Sequence, residues 1–267
     1  MKQVLVAVAT LALTACAAGM GGKPPVVKEE PVTYQDGRAT LKGFIVHDES
    51  RQDRRPGILI VHERWGITPH ARREARRFAE QGYTAFVLDM YGDGAMSYDF
   101  KESGKLQAGV IKNPPVMESR FNAARAELAR HRTVDASRIG AVGYCFGGTV
   151  ALNMARAGAD LVAVATFHAT LTMNTPAPKR VKPRILVLNG AADTIVKPDQ
   201  IEALKRDMEA ANADYRFVNY PGALHSFTNP DADEIARKLK IPVAYNAEAD
   251  KAAKAEAARF FAEAFRK

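Results

Sequence analysis

Short, almost uninterrupted apolar runs alternate with amphipathic segments along most of this chain. Such apolar runs are typical of parallel strands that are covered on both faces, and an apolar period near 3.6 residues indicates an amphipathic helix. We therefore predict strands over residues 57–61, 84–88, 139–143, 162–167, 185–188 and 215–220. We predict helices over residues 70–81, 117–131, 147–157, 198–211 and 247–265.

The order of these elements predicts an α/β protein. Strands that alternate with helices build a mostly parallel, doubly wound sheet with helices on both faces. An earlier extended segment, residues 39–47, is expected to add antiparallel strands at an edge. Residues 92–115 interrupt the alternation of strands and helices, with glycines at their start and prolines at their end. We interpret them as a lid or connection over a site, because long irregular segments in compact domains are usually functional or disordered.

The N-terminus has the pattern of a targeting segment. Lys2 precedes an apolar run over residues 4–13, which is too short to be a stable membrane anchor. The sequence Leu13-Thr14-Ala15-Cys16 resembles the bacterial lipobox, in which the cysteine is acylated and becomes the mature N-terminus. We therefore expect lipid attachment at Cys16. The alternative is an ordinary cleavage site followed by an incidental cysteine.

These signals divide the chain into three parts. We expect a signal peptide over residues 1–15, a flexible tether over residues 16–31 and a single α/β domain over residues 32–267. The protein would be exported, periplasmic and held at a membrane by its lipid. In a Gram-negative cell, Ala17 would favour the outer membrane, by resemblance to lipoprotein sorting rules. The formal charge of +8 is spread over several predicted helices and is not accompanied by a recognition motif. We therefore expect no nucleic-acid partner. The sequence does not determine the oligomeric state.

The most informative motif is Gly143-Tyr144-Cys145-Phe146-Gly147-Gly148, which follows a predicted strand and precedes a predicted helix. This context is a nucleophile elbow, with Cys where Ser is commoner. Gly143 and Gly147 let the turn close tightly, and the first N–H groups of the helix can hold a developing oxyanion. If lipidation consumes Cys16, Cys145 has no internal partner, and no disulfide framework is possible. The alternative is a structural cysteine in a Gly-rich turn.

A base and an orienting acid are expected downstream of this nucleophile, in the order acid and then base. Asp193 follows the strand 185–188, at the carboxyl edge where open α/β sheets place their sites. His225 follows the strand 215–220 and a Pro-Gly turn. His225 could take the thiol proton while Asp193 fixes its tautomer. Alternatively, Asp193 caps a turn and His225 is a surface loop residue.

A charged and aromatic loop, His62-Glu63-Arg64-Trp65-Gly66, follows the first parallel strand, where this architecture supplies its second oxyanion donor. Together with the elbow, this loop makes the chain resemble the dienelactone hydrolase family, whose members have the α/β-hydrolase fold. The resemblance extends over most of the chain from about Val32 onward. It also covers the segments Leu88-Asp89-Met90-Tyr91-Gly92, the Asp193 turn, His225-Ser226-Phe227 and Ala244-Tyr245-Asn246-Ala247-Glu248-Ala249-Asp250.

The resemblance implies a division of labour among the matched positions. Cys145 would be the nucleophile, His225 the base and later the acid, and Asp193 its orienting partner. Glu63 would be the family's additional carboxylate, thought to hold the thiol neutral at rest and to switch when substrate arrives. The backbone N–H groups of Phe146 and Arg64 would form the oxyanion hole. A salt bridge from Glu63 to Arg64 or to another local cation is the alternative.

The resemblance implies cleavage of a small ester, lactone or thioester through an acyl-enzyme, without a metal or organic cofactor. Dienelactone itself is less favoured, because position 229 is Asn229 where the family has a carboxylate-binding arginine; Arg64 or a residue of 92–115 could substitute. Trp65, Tyr91 and His168 are candidate pocket walls, although each could equally be a packed core residue. A catalytically silent envelope lipoprotein that uses the scaffold for binding is the rival interpretation, and a redox-sensing Cys145 is a third.

Overall fold

The computed structural model describes residues 24–176 and 178–266. The expected signal peptide (residues 1–15) and the lipid attachment site Cys16 lie outside the described residues. No helix within the described ranges has the length and apolar character needed to cross a membrane.

Eight strands form one sheet in the order β1-β2-β4-β3-β5-β6-β7-β8. The strands are β1 (Val27–Asp36), β2 (Ala39–Asp48), β3 (Arg55–Val61), β4 (Thr84–Leu88), β5 (Val134–Tyr144), β6 (Ala163–Phe167), β7 (Arg184–Gly190) and β8 (Tyr215–Tyr220). Strands β3 to β8 run parallel, whereas β1 pairs with β2, and β2 with β4, in antiparallel register. The predicted mostly parallel sheet is confirmed.

The helices pack around this sheet and cover its apolar strands. They are α1 (Pro69–Glu80), α2 (Phe100–Ile111), α3 (Pro114–Arg130), α4 (Phe146–Arg156), α5 (Pro198–Ala210), α6 (Ala232–Leu239) and α7 (Ala247–Ala264). Two large clusters of buried apolar side chains lie against the sheet. The five predicted helices match α1, α3, α4, α5 and α7 to within a few residues.

Three parts of the chain differ from the sequence-based expectations. Residues 27–31, expected in the tether, belong to β1, which pairs with β2 over its whole length. Over residues 30–35 its side chains alternate between more buried and exposed positions, as in a strand with one solvated face. Residues 92–115, expected to be irregular, contain α2, which Asp99 caps by accepting from the Glu102 N–H. The unpredicted α6 has acidic residues in its first turn and basic residues in its last, which suits the helix dipole.

Candidate active site

The elbow between β5 and α4 presents Cys145 at the carboxyl edge of the sheet. Cys145 has φ 54° and ψ −118°, a left-handed backbone conformation that is strained for a residue with a side chain. A Cβ on Gly143 would clash with the backbone of Gly147, and a Cβ on Gly147 would clash with that of Val61. Both glycines are therefore required by the turn, which places Cys145 at the N-terminus of α4.

His225 and Asp193 meet in a hydrogen bond beside this thiol. His225 Nδ1 lies 2.7 Å from Asp193 Oδ2, and both side chains are almost completely buried. Asp193 Oδ1 accepts from the backbone N–H groups of Ile195 (2.8 Å) and Val196 (3.3 Å), so its carboxylate is fixed from both sides. Asp193 thus stabilises its own turn and also holds the imidazole.

The surroundings of His225 favour its protonated form. Burial alone would lower the pKa of the imidazole, but negative charge at Cys145 and the hydrogen bond to Asp193 outweigh burial and raise the pKa to about 10. An imidazole coupled to a sulfur on one side and to a carboxylate on the other can exchange a proton with the sulfur. His225 is therefore not a surface loop residue.

Glu63 is buried behind the elbow and is held by three side chains. Its Oε2 accepts from Asn229 Nδ2 at 2.8 Å and lies 3.2 Å from His70 Nδ1, while Ser226 Oγ donates to Oε1 at 3.4 Å. The alternative of a salt bridge to Arg64 is wrong, because Arg64 makes no ion pair with any described residue, whereas a contact with another local cation is present in His70, whose raised pKa favours its charged form. Asn229 does not line the cavity at Cys145 and supports Glu63 instead.

His70 connects Glu63 to a buried network of charged groups under the elbow. Burial would lower the pKa of His70, but the charge and hydrogen bond of Glu63 raise it above its usual value. His70 Nε2 lies 3.9 Å from Glu74 Oε1. Glu74 accepts from Tyr144 Oη at 2.8 Å and forms ion pairs with Arg77 at 2.8 Å and Lys254 at 2.9 Å. These residues were not found from the sequence, because side chains from three separate segments converge only in the folded chain.

Two backbone N–H groups are available as oxyanion donors. The N–H of Phe146 is the first of α4, and neither it nor the N–H of Arg64 donates a hydrogen bond within the part of the chain that the structure describes. Tyr91 Oη donates to the Arg64 carbonyl at 2.9 Å and so restrains the loop that carries the second donor. Tyr91 is thus a support for this loop and does not line the cavity.

A cavity of about 260 Å³ opens onto Cys145 and His225. Trp65 lines it, as predicted, together with Phe100 and Gln107 of α2, so the segment 92–115 does lie over the site. His168 does not line it: the ring is fully buried, with Nε2 2.9 Å from Thr228 Oγ1 and its edge against His225. The positive φ of His168, 41°, turns its side chain away from the strand direction.

The charged side chains that line this cavity are basic. Arg64 and His225 border it, and no carboxylate among the described residues does. The Arg64 guanidinium lies 4.0 Å from the centre of the Phe100 ring and donates one hydrogen bond, to the Phe100 carbonyl at 3.0 Å, while its buried Nε has no partner. The cavity therefore has spare donors and positive charge for an anionic group.

A strained elbow residue, a buried His–Asp pair and free N–H groups on a mostly parallel sheet define an α/β-hydrolase. The model of the dienelactone hydrolase family matches residues 41–265. The chain belongs to the dienelactone hydrolase family and is a hydrolase of that type.

Individual relatives agree with this assignment. The crystal structure of a dienelactone hydrolase-like promiscuous phosphotriesterase from metagenomic libraries is 31% identical, with a TM-score of 0.84 over 90% of this chain and 99% of that chain. The structure named m3DLH is 33% identical, with a TM-score of 0.85 and the same shares covered. A Yersinia pestis protein, named provisionally as a carboxymethylenebutenolidase, is 26% identical over 197 residues, which are 70% of this chain and 74% of that protein.

Proposed function

We propose that the protein hydrolyses small esters, lactones or thioesters through an acyl-enzyme on Cys145, with His225 and Asp193 completing a triad. The observation that carries this proposal is the 2.7 Å contact between His225 and Asp193 beside a cysteine held at an elbow. A structural cysteine would need neither a strained backbone nor a buried imidazole coupled to its sulfur.

The proposed cycle moves one proton and breaks one bond in each half. The Cys145 thiolate attacks the substrate carbonyl carbon, a C–S bond forms, and the resulting oxyanion accepts from the N–H groups of Phe146 and Arg64. The bond to the leaving group breaks as the His225 imidazolium donates its proton to that group. Water then attacks the acyl-enzyme and His225 takes the water proton. The C–S bond breaks, which releases the acid and restores the thiolate–imidazolium pair.

Glu63 has a supporting role in this proposal. Its carboxylate is occupied by His70, Asn229 and Ser226, while Cys145 is coupled to His225. The contacts of Glu63 with these three side chains support a reactive state of the switch implied by the family resemblance, in which His225 and not Glu63 is coupled to the thiol. A neutral resting thiol would protect an exported cysteine from oxidants.

The basic cavity favours substrates that carry a carboxylate near the scissile bond. Arg64 lines the cavity and is able to bind that carboxylate, and a volume of about 260 Å³ limits the substrate to a small acyl group. We expect Arg64→Met to raise KM for an anionic p-nitrophenyl hemiester about 10- to 100-fold, because a charge-assisted contact is lost. Turnover of p-nitrophenyl acetate is the internal control; an equal loss on both esters would refute charge recognition by Arg64.

The nucleophile is tested directly by replacing the sulfur. Cys145→Ala should abolish ester turnover and labelling by iodoacetamide, and mass spectrometry of the quenched wild-type enzyme should detect an acyl adduct on Cys145. Cys145→Ser should remain weak, since the surroundings suit a thiolate. Undiminished turnover by Cys145→Ala would overturn the proposal, and a substrate panel without any turnover would favour the rival function, a binding lipoprotein.

We also propose that the protein is exported and lipid-anchored through Cys16, on the strength of the lipobox-like sequence before it. The intact mass of protein extracted from membranes should correspond to a chain that begins at acylated Cys16. Cys16→Ser should release the protein into the soluble fraction. A mature chain that begins at any other residue would contradict this localisation.

A further inference from the structure

A second cluster of ionisable side chains lies at the opposite edge of the sheet from Cys145. Glu30 of β1, His47 of β2 and His131, which follows the last turn of α3, each place one ligand atom within 4.8 Å of the others. His47 Nε2 lies 3.1 Å from Glu30 Oε1, and His131 Nε2 lies 3.6 Å from Glu30 Oε2. The length of β5, on the order of 30 Å, separates this cluster from the catalytic thiol.

We propose that Glu30, His47 and His131 form a metal site that binds Zn²⁺. Two imidazoles and one carboxylate are a ligand set that zinc accepts, with a fourth position for water. Bonds of about 2.0–2.1 Å at tetrahedral angles hold ligand atoms roughly 3.3 Å apart, and the two distances to Glu30 fall on either side of this value. These two contacts use different oxygens of Glu30, and the three ligand atoms lie within 4.8 Å of one another. Binding of one ion therefore requires side-chain rotations that bring these atoms closer by up to about 1.5 Å.

A hydrogen bond orients the His131 ring, as the partners of zinc-bound histidines do in zinc proteins. His131 Nδ1 lies 2.9 Å from Thr133 Oγ1, which in turn lies 2.7 Å from Thr84 Oγ1. When Nδ1–H donates to Thr133, the Nε2 lone pair faces Glu30 and is free to bind a cation. His47 is fully buried and His131 is only 12% exposed, so the imidazoles are already ordered before an ion arrives.

The competing interpretation is an ordinary ion-pair cluster. Lys28 Nζ lies 3.0 Å from Glu30 Oε1 and neutralises the carboxylate without any metal. The Lys28 side chain is 46% exposed and can move into solvent when a divalent cation enters. Bound zinc would then tie β1, an edge strand with a single neighbouring strand, to the end of α3. The proposed site is thus a structural metal site, and it lies far from Cys145.

The test uses the full chain with Cys145→Ala, so that zinc cannot bind at the catalytic thiol. After treatment with a chelator and gel filtration, we expect one equivalent of Zn²⁺ to bind. The melting temperature should rise by roughly 5–10 °C at a hundredfold excess of zinc over its Kd. Co²⁺ should give the intense visible absorption of a tetrahedral site with nitrogen ligands.

Variants distinguish the proposed site from adventitious binding. His131→Asn should weaken zinc binding more than ~100-fold, because even outer-shell partners contribute 10- to 100-fold, and Thr133→Val should weaken it about tenfold. Glu49→Gln, a carboxylate variant on the same hairpin, should bind zinc like the parent. Lys28→Gln should bind it up to ~5-fold more tightly through loss of a competing surface cation.

His47→Asn is expected to weaken the fold itself because this side chain is fully buried. Glu30→Gln, at a partly exposed position, therefore provides the second ligand deletion and should also lose binding. Absence of any zinc-dependent rise in melting temperature would overturn the proposal. An equal rise in the parent and in both His131→Asn and Glu30→Gln would overturn it as well.

Discussion

Two buried acid–imidazole pairs flank the elbow, and they differ in what each imidazole faces. In the first pair, Asp193 holds His225, whose ring borders the cavity beside Cys145. In the second, Glu63 contacts His70 at 3.2 Å, but the other ring nitrogen of His70 faces Glu74 in the interior. The pKa of both imidazoles is raised against the effect of burial, in His225 by the negative charge of Cys145 and then by Asp193, and in His70 by Glu63 and then by Glu74.

The comparison teaches that a buried His–carboxylate contact alone does not identify a catalytic pair. What distinguishes His225 is its access to the cavity and its coupling to a sulfur. His70 is instead enclosed by Glu63, Glu74 and the ring of Tyr144, whose centroid lies 5.2 Å away. The first pair can move a proton to a substrate, whereas the second can only stabilise the charge and position of Glu63.

The largest difference between the pairs is expected on removal of the Asp193 charge. Asp193→Asn keeps the shape, but the amide can donate to His225 Nδ1 and so favours the wrong tautomer. We expect kcat for p-nitrophenyl acetate to fall about 10⁴-fold, as in serine proteases with the equivalent change. Stopped-flow and steady-state assays measure this fall.

Asp214→Asn is the matched control, because it removes an exposed carboxylate that pairs with Arg184 away from the site. Its turnover should equal that of the wild type. A loss of less than tenfold in Asp193→Asn would place Asp193 outside the reaction and make its contact with His225 merely structural.

A smaller effect is expected in the second pair from Glu63→Gln. Loss of one charge-assisted contact should lower kcat/KM about 10- to 100-fold. The pKa of His70 should fall, because burial is then opposed by the charge of Glu74 without that of Glu63. NMR titration of the imidazole resonances tests this direction. A His70 pKa that stays raised would show that Glu74 alone controls it.

The sequence predicted the first pair better than the second for a physical reason. Cys145, Asp193 and His225 each follow a parallel strand, and the carboxyl ends of such strands share one edge of a sheet. Glu63 was found through its motif, but its partners His70, Ser226 and Asn229 depend on how separate loops and a helix pack. Asn229 was interpreted only as a missing arginine, although its amide has a structural role beside Glu63.

In the fold too, some elements were predicted well from the sequence and others poorly. Buried strands such as Thr84–Leu88 are almost continuously apolar, so their predicted limits agree with the structure. The edge strand Val27–Asp36 is largely polar and contains Pro31, so its hydrogen-bonded register with β2 left little signal in the sequence. His168 follows a predicted strand, yet its ring is buried against Thr228 and His225 and does not line the cavity.

The coupling of His225 to Cys145 predicts a specific pH dependence. In the proposed cycle His225 must be protonated to release the leaving group, and its pKa is raised to about 10, so kcat/KM should fall as pH rises through about 10. Cys145→Ala removes the sulfur contribution and leaves burial opposed by Asp193 alone. The pKa of His225 in this variant, measured by NMR, should therefore drop. An unchanged value would refute the coupling on which the triad depends.

The smallest effect is expected from Tyr144→Phe, at the residue directly before the nucleophile. Tyr144 Oη donates to Glu74 at 2.8 Å, and the change removes one hydrogen bond to a buried carboxylate that keeps its partners Arg77 and Lys254. Urea denaturation should show a loss of about 1.5–3 kcal/mol in the free energy of unfolding, with kcat unchanged within about threefold. Tyr215→Phe, which removes an exposed hydrogen bond to Glu209, should lose less than ~0.5 kcal/mol. A large fall in kcat for Tyr144→Phe would instead show that the Glu74 network acts on the thiol, and the distinction between a catalytic and a supporting pair would fail.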